Sequence, residues 1–394
     1  MADAISTLQK IENYSIYITT AEPIGYSGNG SQHGTVPTMM PNLTASTSRE
    51  EMLLPFDDVT VTIVAIILLF FLVFGFVGNL LTLLVIVTSR KLRNVFNLFI
   101  LSLCVSDLIS SLISWINLYR RTWGFNVFAL PDFFCVLYWG ADIWTSYVTA
   151  QHIMSFAILR LLSVWKPVLF SKIKSWHANV WIASIWFIAF LSGFIPFALF
   201  SGARIRDRSD RSSPVSRWPA CTQNEEWLPQ YSLYTQYGYP IFFYVPLVAI
   251  ALVSSAIGVV MVRRTAPQSK HGNDTRDQKT VKRKQKEKQA IMQLALIVGS
   301  FMFGYIPFTV FEFYTINSTD KSFRGWKIDW TFGTAQYMCL RLSECLNPIF
   351  YNLASTKMRR ETKSFLKRFK CNIVDPTSNS SSRASSHSHT GLEL

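Results

Sequence analysis

The sequence predicts an all-α membrane protein, a bundle of seven transmembrane helices followed by a short amphipathic eighth. Three observations carry that expectation. Hydrophobic residues make up 49% of the 394-residue chain and charged residues only 16%, where a soluble domain carries roughly 25% charged residues. The apolar residues fall in seven long runs, each near or above the roughly 20 residues that a helix needs to cross a bilayer. The charges are gathered into the connections between those runs.

The runs span 59–88, 95–118, 132–165, 178–201, 233–262, 288–315 and 329–352. In hydrocarbon every backbone N–H and C=O must find a partner within the protein, and runs this long and continuous satisfy that as helices. Orientation follows from the basic residues. Arg90, Lys91 and Arg93 follow the first run; Lys166, Lys172 and Lys174 follow the third; a dense series from Arg263 to Lys288 follows the fifth. These three connections are expected in the cytoplasm, at a plasma membrane. The 202–232 loop, on the other side, balances its arginines with Asp207, Asp210, Glu225 and Glu226. The formal charge of +14 is therefore loop asymmetry, and nucleic acid is not an expected partner.

That orientation puts residues 1–58 outside, as a polar, disordered, glycosylated tail with acceptor sequons at Asn13, Asn29 and Asn42, and a further one at Asn317 in the last outer loop. The opening residues MADAISTLQK lack the basic start and apolar run of a secretory signal, so insertion is expected to rest on the first span. Domain boundaries follow: the tail 1–58, the seven-helix unit 59–352, an amphipathic helix over 353–371 and a disordered cytoplasmic tail over 372–394. In the third of these, Met358, Phe365, Leu366 and Phe369 share one face among basic residues, the pattern of a helix lying on the lipid surface. Cys371 at its end is a candidate palmitoyl site. Six cysteines are too few for a disulfide scaffold.

Polar or helix-breaking residues inside an apolar span are costly and need a reason. Here they occur in order: Gly78-Asn79, then the run ending Ser106-Asp107, then Cys135 and Arg160 with Pro167 beyond, Trp186 with Pro196, Pro246, Phe301 with Pro307, and Asn347-Pro348-Ile349-Phe350-Tyr351. Over about residues 59–371 this order resembles the rhodopsin-like (class A) G-protein-coupled receptors. The resemblance implies a receptor for an extracellular ligand that signals to heterotrimeric G proteins.

What the resemblance implies for individual residues can be stated one at a time. Cys135 and Cys221 match the family's disulfide, which would pin the 202–232 loop over the mouth, and Trp123 matches a packing landmark. Asp107, Asn79, Asn347 and Thr149 match a sodium-binding cluster; a purely structural hydrogen-bond network is the other reading. Glu344 adds a second carboxylate nearby, which requires a shared cation or a proton. Arg160 matches the arginine that meets the G protein when the bundle opens, with Tyr351 and Pro348 in the same switch. Its acidic neighbour is missing, since Leu159 stands there, so Glu287 at the base of the sixth span is the expected restraint. One restraint in place of two predicts some ligand-independent signalling. Tyr305 and Ser254 depart from the residues usual at their positions, which puts the efficiency of switching in question.

For the ligand, Asp142 faces the outer pocket in the family frame, with Arg341 opposite and Tyr305, Phe308 and Tyr337 around them. A carboxylate there grips protonated amines, and the stretch from Arg160 to Pro167 is faintly similar to muscarinic and histamine receptors. A paired Asp142 and Arg341 would instead suit a zwitterion or a peptide, and the stretch after Asn347 looks more like neuropeptide receptors. A helix-to-helix salt bridge without a ligand role is a third reading. Retinal is excluded, because Arg341 cannot form its Schiff base. The serine cluster Ser378–Ser388 fits phosphorylation and arrestin capture. Among other classes, a decoy receptor without G-protein coupling is the main alternative. A transporter lacks support, with no internal repeat in the spans, and no nucleophile, base and orienter grouping suggests an enzyme.

Overall fold

A computed structural model of the chain describes residues 54–204, 218–265, 274–318 and 322–374. Asn13, Asn29, Asn42 and the Ser378–Ser388 cluster lie outside them. So do the side chains of 261–284, 286–288, 290, 316–317 and 369–374, which include Glu287, Asn317 and Cys371.

The seven expected helices are present in order. They are α1 (Asp58–Thr88), α2 (Val95–Arg121), α3 (Asp132–Trp165), α4 (Ser175–Ala189 continued through Phe190–Phe194 to Ile195–Phe200), α5 (Leu228–Tyr239 continued through Pro240–Tyr244 to Val245–Thr265), α6 (Asp274–Asn317) and α7 (Phe323–Ala354). Thr356–Val374 forms α8. Helix α3 is the central post, in contact with α2, α4, α5 and α6, while α1 and α7 close the other side. The basic series before the sixth span is helical from Asp274, so α6 projects well beyond its apolar part.

Among the described residues, six of the seven helices are long and apolar enough to cross a membrane by length and composition. The exception is α7, expected as an apolar run. It carries Arg341 and Glu344 buried in its middle, and their mutual neutralisation, described below, is what lets so polar a helix sit inside the bundle. The outward face of α1, with Val59, Ile66, Phe70, Val73 and Val77 exposed, is the complementary case: nothing but lipid suits it.

Helix starts are capped as their sequences dictate. Asp57 accepts from the Thr60 N–H at 2.7 Å, and Thr60 holds its carboxyl below the ordinary range. Asn94 accepts from the Asn97 N–H at 3.1 Å. Prolines inside the spans pose the opposite problem, because each removes the N–H that would bond the carbonyl four residues earlier. Three of those freed carbonyls are taken by side chains from neighbouring helices. The Tyr234 hydroxyl donates to Ser192 O, behind Pro196. Gln151 Nε2 donates to Phe242 O, behind Pro246, at 3.4 Å. Asn79 Nδ2 donates to Glu344 O, behind Pro348, at 3.5 Å. Helices α4 and α5 each widen by a π turn, at Phe190–Phe194 and Pro240–Tyr244, ending two residues before the proline.

Between α6 and α7, Ser300 Oγ donates to Ser343 O at 3.0 Å and Ser343 Oγ donates back to Ser300 O at 2.7 Å. This reciprocal bond needs close backbones, and Gly304 allows them: a Cβ there would lie 2.8 Å from Ser343 Cβ and 3.3 Å from Leu340 Cα. Gly304→Ala is expected to cost about 1–3 kcal/mol through overpacking, read as a lower unfolding temperature of the purified protein. An unchanged temperature would show that α6 and α7 can part freely here.

Helix α8 is fixed at both ends of its first turns. Met358 is buried, Arg359 donates to Asn352 O and Leu353 O at 3.2 and 2.8 Å, and Glu361 accepts from Ser89 Oγ at 3.1 Å. The arginine therefore caps the carbonyls at the end of α7.

Candidate ligand-binding and coupling sites

At one end of the bundle, strands β1 (Ser201–Ala203) and β2 (Cys221–Gln223) form an antiparallel hairpin with Ala203 opposite Cys221. Cys221 is bonded to Cys135 at the start of α3, with Cα atoms 5.6 Å apart. The expected disulfide is present, and it holds the hairpin over the helix ends. The Ala220 N–H donates to Phe125 O at 2.8 Å, which ties the α2–α3 loop into the same cap. Trp123, expected as a packing landmark of that loop, is 64% exposed. Phe125 of the same loop is buried against Phe56 and Trp326.

Beneath the cap, Arg341 of α7 is buried, 3% exposed, and bonds two carboxylates at once. Its Nη2 donates to Asp142 Oδ1 of α3 at 2.7 Å and its Nη1 to Glu344 Oε2 at 2.8 Å. Glu344 Oε1 and Oε2 also accept from Ser110 Oγ of α2, at 3.0 and 2.9 Å. One guanidinium thus joins α2, α3 and α7. A planar fork with several donors bonds each acid through its own nitrogen, in a fixed geometry. The Tyr337 ring lies 4.6 Å from Arg341 Cζ. Tyr305 packs between Phe301 and Phe243 at 4.5 and 5.1 Å, and Phe308 stands against Phe243 at 5.6 Å. Of the expected pocket residues, Asp142, Arg341 and Tyr337 come together, while Tyr305 and Phe308 belong to the aromatic wall toward α5.

One layer deeper, Asn347 Nδ2 donates to Asp107 Oδ2 at 2.9 Å. Asp107 Oδ1 and Asn79 Oδ1 are buried without a partner among the described residues. Thr149 meets Ser106 Oγ at 3.1 Å, and that hydroxyl also donates to Thr145 O. The expected five-residue cluster is therefore divided. Asp107, Asn79 and Asn347 stay together, Thr149 is engaged by Ser106, and Glu344 turns outward to Arg341. The reason is charge: Glu344 is drawn to the Arg341 guanidinium and repelled by the neighbouring Asp107 carboxylate.

At the opposite end, Arg160 Nη2 donates to Gln293 Oε1 of α6 at 2.9 Å, and its guanidinium lies 3.7 Å from the Phe96 ring centroid. Its observed restraint is thus Gln293, one and a half turns above the expected Glu287, whose side chain lies outside the described residues. Tyr351 is fully buried, and Pro348 packs on Gly78.

Ser110, Gln293 and the Ser300–Ser343 pair were not singled out from the sequence. Ser106, Asp107, Ser110 and Ser114 recur at helical spacing, and that polar stripe was the available signal for Ser110. A single glutamine or serine in an apolar run offers none.

The family model for the 7 transmembrane receptor (rhodopsin family) matches residues 78–351. The chain is 26% identical to growth hormone secretagogue receptor type 1 of Sus scrofa over 309 residues, covering 76% of this chain and 78% of that one. It is 24% identical to neuromedin U receptor homolog nmur-2 of Caenorhabditis elegans, covering 72% and 74%. It is 26% identical to the green-sensitive opsin of Gallus gallus, covering 74% and 76%. The ordered landmarks, the helix bundle and these matches agree: the chain belongs to the rhodopsin family of seven-transmembrane receptors, as a multi-pass membrane protein that binds an extracellular ligand and signals through G proteins.

Proposed function

We propose that the ligand is a peptide and not a simple amine. The observation that carries this is the state of Asp142, whose carboxylate is already held by Arg341 at 2.7 Å. A protonated amine that draws Asp142 away from Arg341 leaves the guanidinium without one of its two acids, and stranding a buried charge costs several kcal/mol. A peptide brings groups of both signs and can replace both halves of the bond. The names of two relatives, a growth hormone secretagogue receptor and a neuromedin U receptor homolog, favour the same reading.

The test is a signalling screen of amines and peptides on the full chain and on Asp142→Ala. Peptides active on the wild type support the proposal. An amine response that disappears in Asp142→Ala overturns it.

The remaining assignments belong to the same reading. The disulfide-bearing end faces outside at the plasma membrane, with Asn13, Asn29, Asn42 and Asn317 as glycan acceptors. Arg160 and the end of α6 meet the G protein, the phosphorylated Ser378–Ser388 segment recruits arrestin, and α8 rests on lipid with Cys371 palmitoylated. A sodium ion is proposed at Asp107, where two buried oxygens, Asp107 Oδ1 and Asn79 Oδ1, lack partners. Asn347 would orient the carboxylate, and Thr149 and Glu344 would line the site while committed elsewhere. The decoy alternative, resting on Leu159, Ser254 and Tyr305, is tested by whether any active ligand drives nucleotide exchange on a G protein.

A further inference from the structure

We infer that Arg121, backed by Arg120, is the receiving site for a carboxylate of the ligand, an assignment that rests on the peptide reading above. The two arginines end α2 directly under the hairpin. Arg120 is buried and Arg121 half-buried; cations withdrawn from water are normally matched by acids, and a guanidinium cannot escape by losing its proton. Yet among the described residues no carboxylate lies within 4.0 Å of either one.

The reason is visible in the site already described. Arg341 takes both Asp142 and Glu344, so neither of these acids is left for the two arginines. Asp142 acts on both arginines, and Glu312 on Arg121, only from beyond that distance. Arg120 is held by uncharged groups: its Nε donates to Cys221 O at 2.6 Å, its Nη1 to Asn117 Oδ1 at 3.3 Å, and its guanidinium lies 4.6 Å from the Trp139 ring centroid. It is fixed and charged, without a counter-ion.

Arg121 is the more open of the two. Its Nε is buried with no partner, and its guanidinium reaches across to α7, where a Cβ on Gly333 would lie 2.7 Å from Nη1 and 2.9 Å from Phe311 Cζ. The glycine thus leaves the space that the fork occupies. The Arg121 carbonyl is used separately, accepting from Trp330 Nε1 at 2.9 Å, so the guanidinium is not needed to hold the helix end. Two parallel N–H donors on an arginine are a natural receptor for a carboxylate. The carboxylate belongs to the C-terminus or to an acidic side chain of the peptide.

The experiment uses the purified full chain in lipid nanodiscs and three small probes, with binding read from the shift in unfolding temperature against probe concentration. N-acetylphenylalanine offers a terminal carboxylate, N-acetylglutamic acid α-amide offers a side-chain carboxylate, and N-acetylphenylalaninamide offers none. At least one acid is expected to stabilise the wild type while the neutral amide does not, and which acid works identifies the source. Arg121→Gln is expected to weaken that acid roughly tenfold, with Arg121→Lys between. Equal effects of acid and amide, no effect of either acid, or full binding by Arg121→Gln would overturn the assignment. If Arg121→Gln does not fold, the acid-against-amide contrast on the wild type and on Arg121→Lys decides. Acid selectivity in a receptor that only amines activate would remove the peptide reading and keep this site. Activating peptides that carry no carboxylate at all would do the reverse.

Discussion

Arg341→Met is expected to destabilise the receptor by about 3–5 kcal/mol, the cost of removing one partner from a buried ionic group. The change strands Asp142 and Glu344 together in the bundle, each having lost the donor it holds at 2.7 and 2.8 Å. Ser110 still donates to Glu344, but one hydroxyl does not neutralise a charge. Adding Asp142→Asn and Glu344→Gln to the same chain is expected to restore most of the loss, because uncharged residues of similar shape leave nothing stranded. Arg341→Lys is expected to fall between, since an ammonium keeps the charge but lacks the planar fork that bonds each acid through its own nitrogen. Thermal unfolding of the purified variants measures all three. An Arg341→Met protein as stable as the wild type would show that the network contributes nothing.

The second large effect concerns the switch. Gln293→Leu removes the acceptor that Arg160 uses to tie α3 to α6. A hydrogen bond to a charged group contributes roughly 1.5–3 kcal/mol, enough to move a two-state equilibrium by about ten-fold or more toward the open form. The expected result is a marked rise in ligand-independent nucleotide exchange at matched surface expression. Wild-type basal activity should already be measurable, because Leu159 cannot supply the acidic neighbour that would hold Arg160 a second time. The stacking of Arg160 on Phe96 remains in the variant, so the shift is bounded. Basal activity unchanged by Gln293→Leu would place the restraint elsewhere, with Glu287 the next to test.

The two networks are linked through the bundle. Arg341 sits three residues before Glu344, whose backbone carbonyl receives Asn79, and six before Asn347, which holds Asp107. A ligand that drew Arg341 away from Asp142 would therefore disturb the α7 segment that organises the polar core. This gives the sealed pair a place in signalling as well as in stability.

Much of this was readable beforehand because its causes are local. Span 132–165 coincides with α3, since an apolar run bounded by Pro131 and Lys166 has one helical solution in lipid. The pairing of Cys135 with Cys221 followed from family likeness, and the prolines announced where carbonyls would be freed. The sequence could not say which side chains would take those carbonyls. Tyr234, Gln151 and Asn79 reach them from other helices, and the reach depends on how each helix is rotated about its axis.

By itself, then, the sequence determined seven helices, their order, their boundaries to within a few residues in most cases, and the family. Periodicity, apolar length and buried polar landmarks are properties of a single segment, and they survive whatever the neighbours do. The tertiary structure alone decided that Arg341 takes both Asp142 and Glu344, that Arg160 meets Gln293, and that Arg120 and Arg121 are left without an acid. Each of these is a competition among charges on different helices. Distances of a few ångströms settle such competitions, and those distances exist only after the helices have packed.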